Sequence, residues 1–181
     1  MSQAINSQQL IDRLVGIVTL NDPVYEDVEH DQSATTQAAI VVAAAGILAG
    51  IGQIGDAWYS PIVVPVASLI AWVVAAYFIY FVGTRWLASA TTEADLGQVL
   101  RLTGFASVTG AAGILGFIPV LGALIGLAAA ILGIVIYVKA IMHALEMSTG
   151  RAIVTAIVAA ILQGIVIFLI ALIFGISAGI V

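Results

Sequence analysis

The chain of 181 residues has no cysteine, which excludes disulfides, thiolate catalysis, iron–sulfur clusters and cysteine-bound zinc. Charge is nearly as scarce. Charged residues make up 8% of the chain, with 5 Lys and Arg against 10 Asp and Glu, where an ordinary soluble domain has roughly 25%. So few cations form no basic patch, and nucleic acid is not expected as a partner. Neither a Ser/His/Asp arrangement nor a phosphate loop is present, since Gly46 to Gly50 lacks the Lys-Ser/Thr ending of a P-loop. What fills the space is apolar. At 62% hydrophobic residues and a mean hydropathy of +1.20, a soluble fold of this size could not cover its apolar surface.

The first 34 residues lack the pattern of a cleaved signal peptide, so the first apolar run is expected to persist in the mature protein. A cytoplasmic N-terminal segment, 1–35, is expected to hold two short helices. One, over 7–20, places Leu10, Ile11, Leu14, Val15, Ile17 and Val18 on one face and is read as an amphipathic helix lying on the membrane surface. The other, over 23–30, follows Asp22-Pro23, an acid cap before a proline, and carries Glu26, Asp27 and Glu29 on its polar side. From 36 onward five apolar stretches follow, at about 38–54, 62–82, 99–117, 120–141 and 152–174. Each is near the roughly 20 residues that cross a bilayer. The third is the weakest, thinned by Gly104, Gly110, Gly113 and Gly116. The fold class predicted is all-α: a polytopic membrane bundle of five transmembrane helices preceded by the amphipathic and acidic helices.

Arg13, Arg85, Arg101, Lys139 and Arg151 all fall on one side of that bundle if the N-terminus is cytoplasmic and the C-terminus outside, as short cytoplasmic loops favour. Small residues every fourth position, Gly46 and Gly50, Gly122 and Gly126, and the ladder Ala152, Ala156, Ala160, Gly164, predict close helix packing, within the chain or across a homo-oligomer. Trp58, Tyr59, Trp86 and Tyr137 are placed at membrane interfaces. Lys139 is read as an interfacial anchor, with lipid headgroup binding as its alternative. Gln53, Ser68, Ser107, Thr109 and Gln163 would bridge helices or line a polar path, and Pro65 would kink its helix. Glu26, Glu29, His30, His143 and Glu146 have helical spacings that could aim at a shared metal, although a solvated surface is the stronger reading. No cofactor is expected.

The stretch from Leu100 to Ala152, with Gly104-Phe105-Ala106, Ile118-Pro119-Val120-Leu121-Gly122 and Ser148-Thr149-Gly150-Arg151-Ala152 as its most specific parts, resembles the core of the prokaryotic Yip family, and Asp22 to Val42 is similar to that family's approach to its first span. The Asp-Leu-Tyr-Gly-Pro and Gly-Tyr-Gly signatures of eukaryotic members are absent, so the resemblance carries neither Rab-type GTPase binding nor vesicle traffic to this chain. It implies a non-enzymatic protein of the prokaryotic inner membrane. On that footing the chain is expected to be an adaptor or scaffold, or an accessory subunit of a larger membrane complex, contacting a partner through Glu26, Asp27 and Glu29. A solute or ion transporter is the alternative, and a metal-dependent membrane enzyme ranks last.

Overall fold

Two short helices precede five long ones. The computed structural model describes residues 7–88, 92 and 94–173, and both residues 1–6 of the expected N-terminal segment and Phe174 at the end of the expected fifth span lie outside them. The elements are α1 (Ser7–Val18), α2 (Asp22–His30), α3 (Ala34–Gly52), α4 (Ser60–Phe81) with a π-helical continuation Val82–Trp86, α5 (Leu96–Ala106) with a 3-10 continuation Ser107–Phe117, α6 (Leu121–Ala144) and α7 (Thr149–Ile173). Among the described residues, 5 helical rods are long and apolar enough to cross a membrane: Ala34–Gly52, Ser60–Trp86, Leu96–Phe117, Leu121–Ala144 and Thr149–Leu169. The fold is an all-α polytopic helix bundle. Its outer wall exposes Ile62, Val66, Ile70 and Val73 on α4, Leu124, Leu127 and Ile131 on α6, and Ile161, Ile165 and Phe168 on α7. Such a surface is matched to hydrocarbon rather than water.

The α3 and Leu96–Phe117 rods are the most covered and form the middle of the bundle. The glycines that thinned the third apolar stretch turn out to be its interface. Gly104, Ser107, Gly110, Gly113 and Gly116 recur at intervals of three, and a 3-10 helix stacks residues i and i+3 on one line. That line lies against α3. A Cβ on Gly113 would come within 3.0 Å of the Ala49 Cα, one on Gly104 within 2.7 Å of the Ala38 Cβ, and one on Gly52 would run into the Gly113 carbonyl. At about 2.0 Å per residue the 3-10 stretch also covers about 22 Å, where α-helix would cover about 16 Å, so a glycine-rich segment reaches across the bilayer. At its far end Val120, with φ of 64°, turns the chain directly into α6.

Other small residues separate into two groups. Gly46 and Gly50 pack on α4, where added Cβ atoms would meet the Pro65 Cα at 2.6 Å and the Ser60 carbonyl oxygen at 2.5 Å. Gly122 closes the hairpin by lying against the Leu115 carbonyl. Gly126 and Gly164 face open space, so they take no part in packing within the chain. On α7, Ala152 is buried and Ala156 packs against the core while lining a cavity together with Ala160, and Thr155 and Ala159 are buried beside them. Tyr137 lines that cavity too. Helix α2 begins one residue before Pro23, with Asn21 rather than Asp22 at its N-cap.

This division gives a test. Gly46→Ala and Gly52→Ala are expected to destabilise the detergent-solubilised protein by about 1–3 kcal/mol each, as overpacking against rigid backbone does. Gly126→Ala and Gly164→Ala should leave it unchanged or slightly more stable. Size-exclusion chromatography after stepwise heating reads the difference.

Candidate functional site

The ion pairs and buried charged side chains of the described residues gather at one end of the bundle, where α1 and α2 lie across it. The buried face of α1 carries Arg13, Gly16 and Ile17. A guanidinium there must have its donors satisfied, because an unpaired buried charge is far costlier than a paired one. Arg13 Nε donates to Asp27 Oδ2 at 2.8 Å, Nη2 to Asp31 Oδ2 at 2.7 Å, and Nη1 to the side-chain oxygen of Gln37 at 2.9 Å. One side chain thus ties α1 to α2, to the link after α2 and to the first turn of α3. Helix α1 is therefore docked on the bundle, where the amphipathic pattern had suggested a helix lying on the membrane; only Ile11 and Val15 of its apolar stripe stay largely exposed.

Two further cations receive the C-terminal ends of these helices. Terminal helical carbonyls lack intrahelical partners and carry partial negative charge, so they suit a cationic donor. Arg101 of α5, itself buried, donates through Nε to the Glu29 carbonyl oxygen at 3.0 Å and through Nη2 to the same atom. Lys139 of α6 donates to the Leu20 carbonyl oxygen at 2.5 Å, just beyond α1, where Leu20 holds a left-handed φ of 60°. Tyr25 fills the centre. Fully buried, it donates its hydroxyl to the Ile17 carbonyl oxygen at 3.0 Å, stacks on His143 at 5.1 Å and lies 5.3 Å under the Lys139 ammonium. Asp22 completes the set, 2.8 Å from Lys139 Nζ and 3.0 Å from His143 Nε2. Among the described residues, no buried side-chain nitrogen or oxygen lacks a hydrogen-bond partner.

Several expected site residues find other employment. Glu29 is only 4% exposed and accepts from Gln98 Nε2 at 3.1 Å, and Asp27 is held by Arg13, so both belong to the fold; Glu26 remains on the surface. The metal candidates are not brought together. His143 is engaged with Asp22, His30 Nδ1 lies 2.8 Å from the Glu26 carbonyl oxygen, and among the described residues no group of three His, Asp or Glu could hold an ion. Sequence reasoning missed both arginine anchors. It also missed the helix start at Asp95-Leu-Gly-Gln98, a capping box in which Asp95 accepts from the Gln98 amide and donates its own amide to Gln98 Oε1. That Asp-x-x-Gln spacing is a legible signal.

Within the bundle lies a cavity of about 790 Å³, walled by α3 to α7. Ser68, Ser107, Thr109 and Gln163 line it and Gln53 does not. Gln163 Nε2 donates to the Ala71 carbonyl oxygen at 3.0 Å, which makes it a bridge between α7 and α4. Trp72 bridges α4 to α5 through the Leu100 carbonyl at 3.1 Å and Thr103 Oγ1 at 3.2 Å. Nearer the capped end, α6 and α7 frame a groove of about 620 Å³ that shares Ile134, Val138, Ala156 and Ile157 with the cavity.

Charge at the capped end responds to pH in two directions. Burial would raise the Asp31 carboxyl, but hydrogen bonds from Ser33 and Arg13 outweigh it and hold Asp31 below its ordinary 3.8; hydrogen bonds from Lys139 and His143 lower Asp22 likewise. Depressed carboxyls stabilise the fold above their ordinary value, and that contribution is lost as pH falls through the folded value. Desolvation lifts Glu29 above its ordinary 4.5, with Glu146 and Glu26 adding to the rise. Its sign is reversed: the cost appears as pH climbs past 4.5 toward the folded value. Glu29→Gln should therefore raise the thermal midpoint near neutrality, with the gain vanishing below about pH 4, where the wild-type cap also weakens through Asp31 and Asp22. Circular dichroism melts in detergent across this range would show it. Separately, Arg13→Leu and Arg101→Leu should each loosen the cap by about 1.5–3 kcal/mol, the scale of hydrogen bonds to a charged group, and speed chymotryptic cleavage at Tyr25.

Residues 17–172 match the Yip1 domain. No curated protein matches the chain, and no solved structure does.

Proposed function

The chain belongs to the Yip1-domain family and is a multi-pass membrane protein, and from that premise we propose that it is a non-catalytic adaptor whose N-terminal helices form a contact platform on the cytoplasmic side of a prokaryotic inner membrane. The observation that carries this reading is the docking of α1 and α2. Short helices of this length are marginal alone in water, and here buried arginine, tyrosine and lysine contacts hold them in one place, which pre-organises their outer face. That face is acidic. Asp12 and Asp27 are exposed on it and line, with Arg13, Gln8, Gln9, Pro23 and Val24, a cleft of about 310 Å³, and Glu26 is exposed on α2 beside them. A basic segment of a partner protein is the complementary occupant. The orientation rests on Arg13, Arg101 and Lys139 meeting at this end, since short cytoplasmic segments collect cations.

Asp27 and Glu29 serve the fold, so charge reversal belongs on Asp12 and Glu26. Affinity capture of the tagged full chain after mild detergent extraction should recover a stoichiometric partner, and Asp12→Lys with Glu26→Lys should reduce that recovery several-fold while the thermal midpoint holds. Undiminished recovery by the folded double variant would remove this face as the contact. A second reading, an accessory subunit docked within the bilayer, is favoured by Gly126 and Gly164, at which an added Cβ would meet nothing within the chain. Gly126→Leu and Gly164→Leu should then release the protein from a larger species in native gels, and unchanged migration would reject it.

A further inference from the structure

The groove between α6 and α7 has the outline of a lipid in one leaflet. Its walls are Ile134, Val135, Val138 and Met142 from α6 and Ile153, Ala156 and Ile157 from α7. From Lys139 and His143 at its mouth it continues inward past Ile134, where it joins the bundle cavity. At about 1.5 Å per residue, the α6 positions 134–143 descend about 13.5 Å, close to half of the roughly 30 Å hydrocarbon thickness. An apolar trough open at that depth is solvated by acyl chains.

The mouth supplies what the bare trough lacks. Lys139 and His143 are held in position by Tyr25, whose ring stacks on His143 at 5.1 Å and lies 5.3 Å from the Lys139 ammonium. An ammonium has three N–H donors, and those of Lys139 go to the Leu20 carbonyl and to Asp22, which leaves one. Asp22 is 63% exposed, so its ion pair is a weak surface contact that a stronger acceptor can displace. Thr149, the first residue of α7, lies on the same rim, which places a helix N-terminus at it. Cationic and amide donors at the headgroup level, above an apolar trough one leaflet deep, fit a phosphodiester with its chain beneath it.

We propose that the α6–α7 groove binds a membrane glycerophospholipid, its phosphodiester taking the place of Asp22 on Lys139 and His143 and one acyl chain lying along Val138, Ala156 and Ile157 toward the central cavity. The site is separate from the acidic platform and does not depend on a protein partner.

The test is native mass spectrometry of the full chain in detergent with three probes: phosphatidylglycerol, diacylglycerol with the same acyl chains, and inorganic phosphate. Phosphatidylglycerol should be retained, with the other two at background. Lys139→Gln should weaken retention about fivefold, the scale of one basic residue at a lipid surface. Ala156→Phe, which blocks the trough and leaves the mouth intact, should weaken it at least as much, while Ile165→Phe on the outer wall should not. Because Lys139 also holds the Leu20 carbonyl, Ala156→Phe decides the matter if Lys139→Gln fails to fold. Equal retention of diacylglycerol, binding of inorganic phosphate alone, or wild-type retention by Ala156→Phe would each overturn the proposal.

Discussion

A guanidinium removed from water has to be met on every side, and in this chain Arg13 is met by three separate segments. That requirement organises the capped end. Asp27, Asp31 and Gln37 can satisfy Arg13 together only if α1, α2 and the start of α3 are folded against one another. Arg101 and Lys139 repeat the logic from below, each answering a carbonyl at the C-terminal end of a short helix. Scarce charges in an apolar protein act here as fasteners. Each costs desolvation wherever it is buried, so each specifies its neighbours narrowly.

The bundle beneath solves a different problem. Lipid gives helices no hydrophobic reason to associate, so its centre relies on close backbone approach between α3 and the 3-10 stretch, and its outer wall keeps large aliphatic side chains for the bilayer. Small residues also leave room. Around Gly46, Ala49, Gly110 and Gly133 the same economy of side chains opens the central cavity, which the α6–α7 groove extends toward the capped end. Packing by glycine and alanine thus yields both the tight seam and the hollow beside it.

Much of this was legible in the sequence. Apolar runs of membrane-spanning length gave the five rods and the all-α class, because these depend on local composition and length. The motifs from Leu100 to Ala152 gave the family. Spacing of small residues named the packing positions only in part: Gly46 and Gly50 are packed while Gly126 and Gly164 are open, since periodicity shows which residues share a face and not what the face meets. For the same reason the stripe of α1 did not reveal that part of it meets a protein neighbour, with Ile17 buried and Ile11 and Val15 exposed. The acidic helix misled most. Asp27 and Glu29 look like free surface charge in sequence, and only contacts spanning 14 residues to Arg13 and 69 to Gln98 show that Asp27, though exposed, is ion-paired and that Glu29 is buried.

The account stands on α1 and α2 being a fixed part of the membrane domain. Hydrogen–deuterium exchange of the full chain in detergent addresses this most directly. Amides of Ile17, Tyr25 and Val28 should exchange as slowly as those of Val99 and Leu102 in α5, with which they share one buried core. Exchange of the α1 and α2 amides at the rate of an unstructured segment, while α5 stays protected, would contradict it.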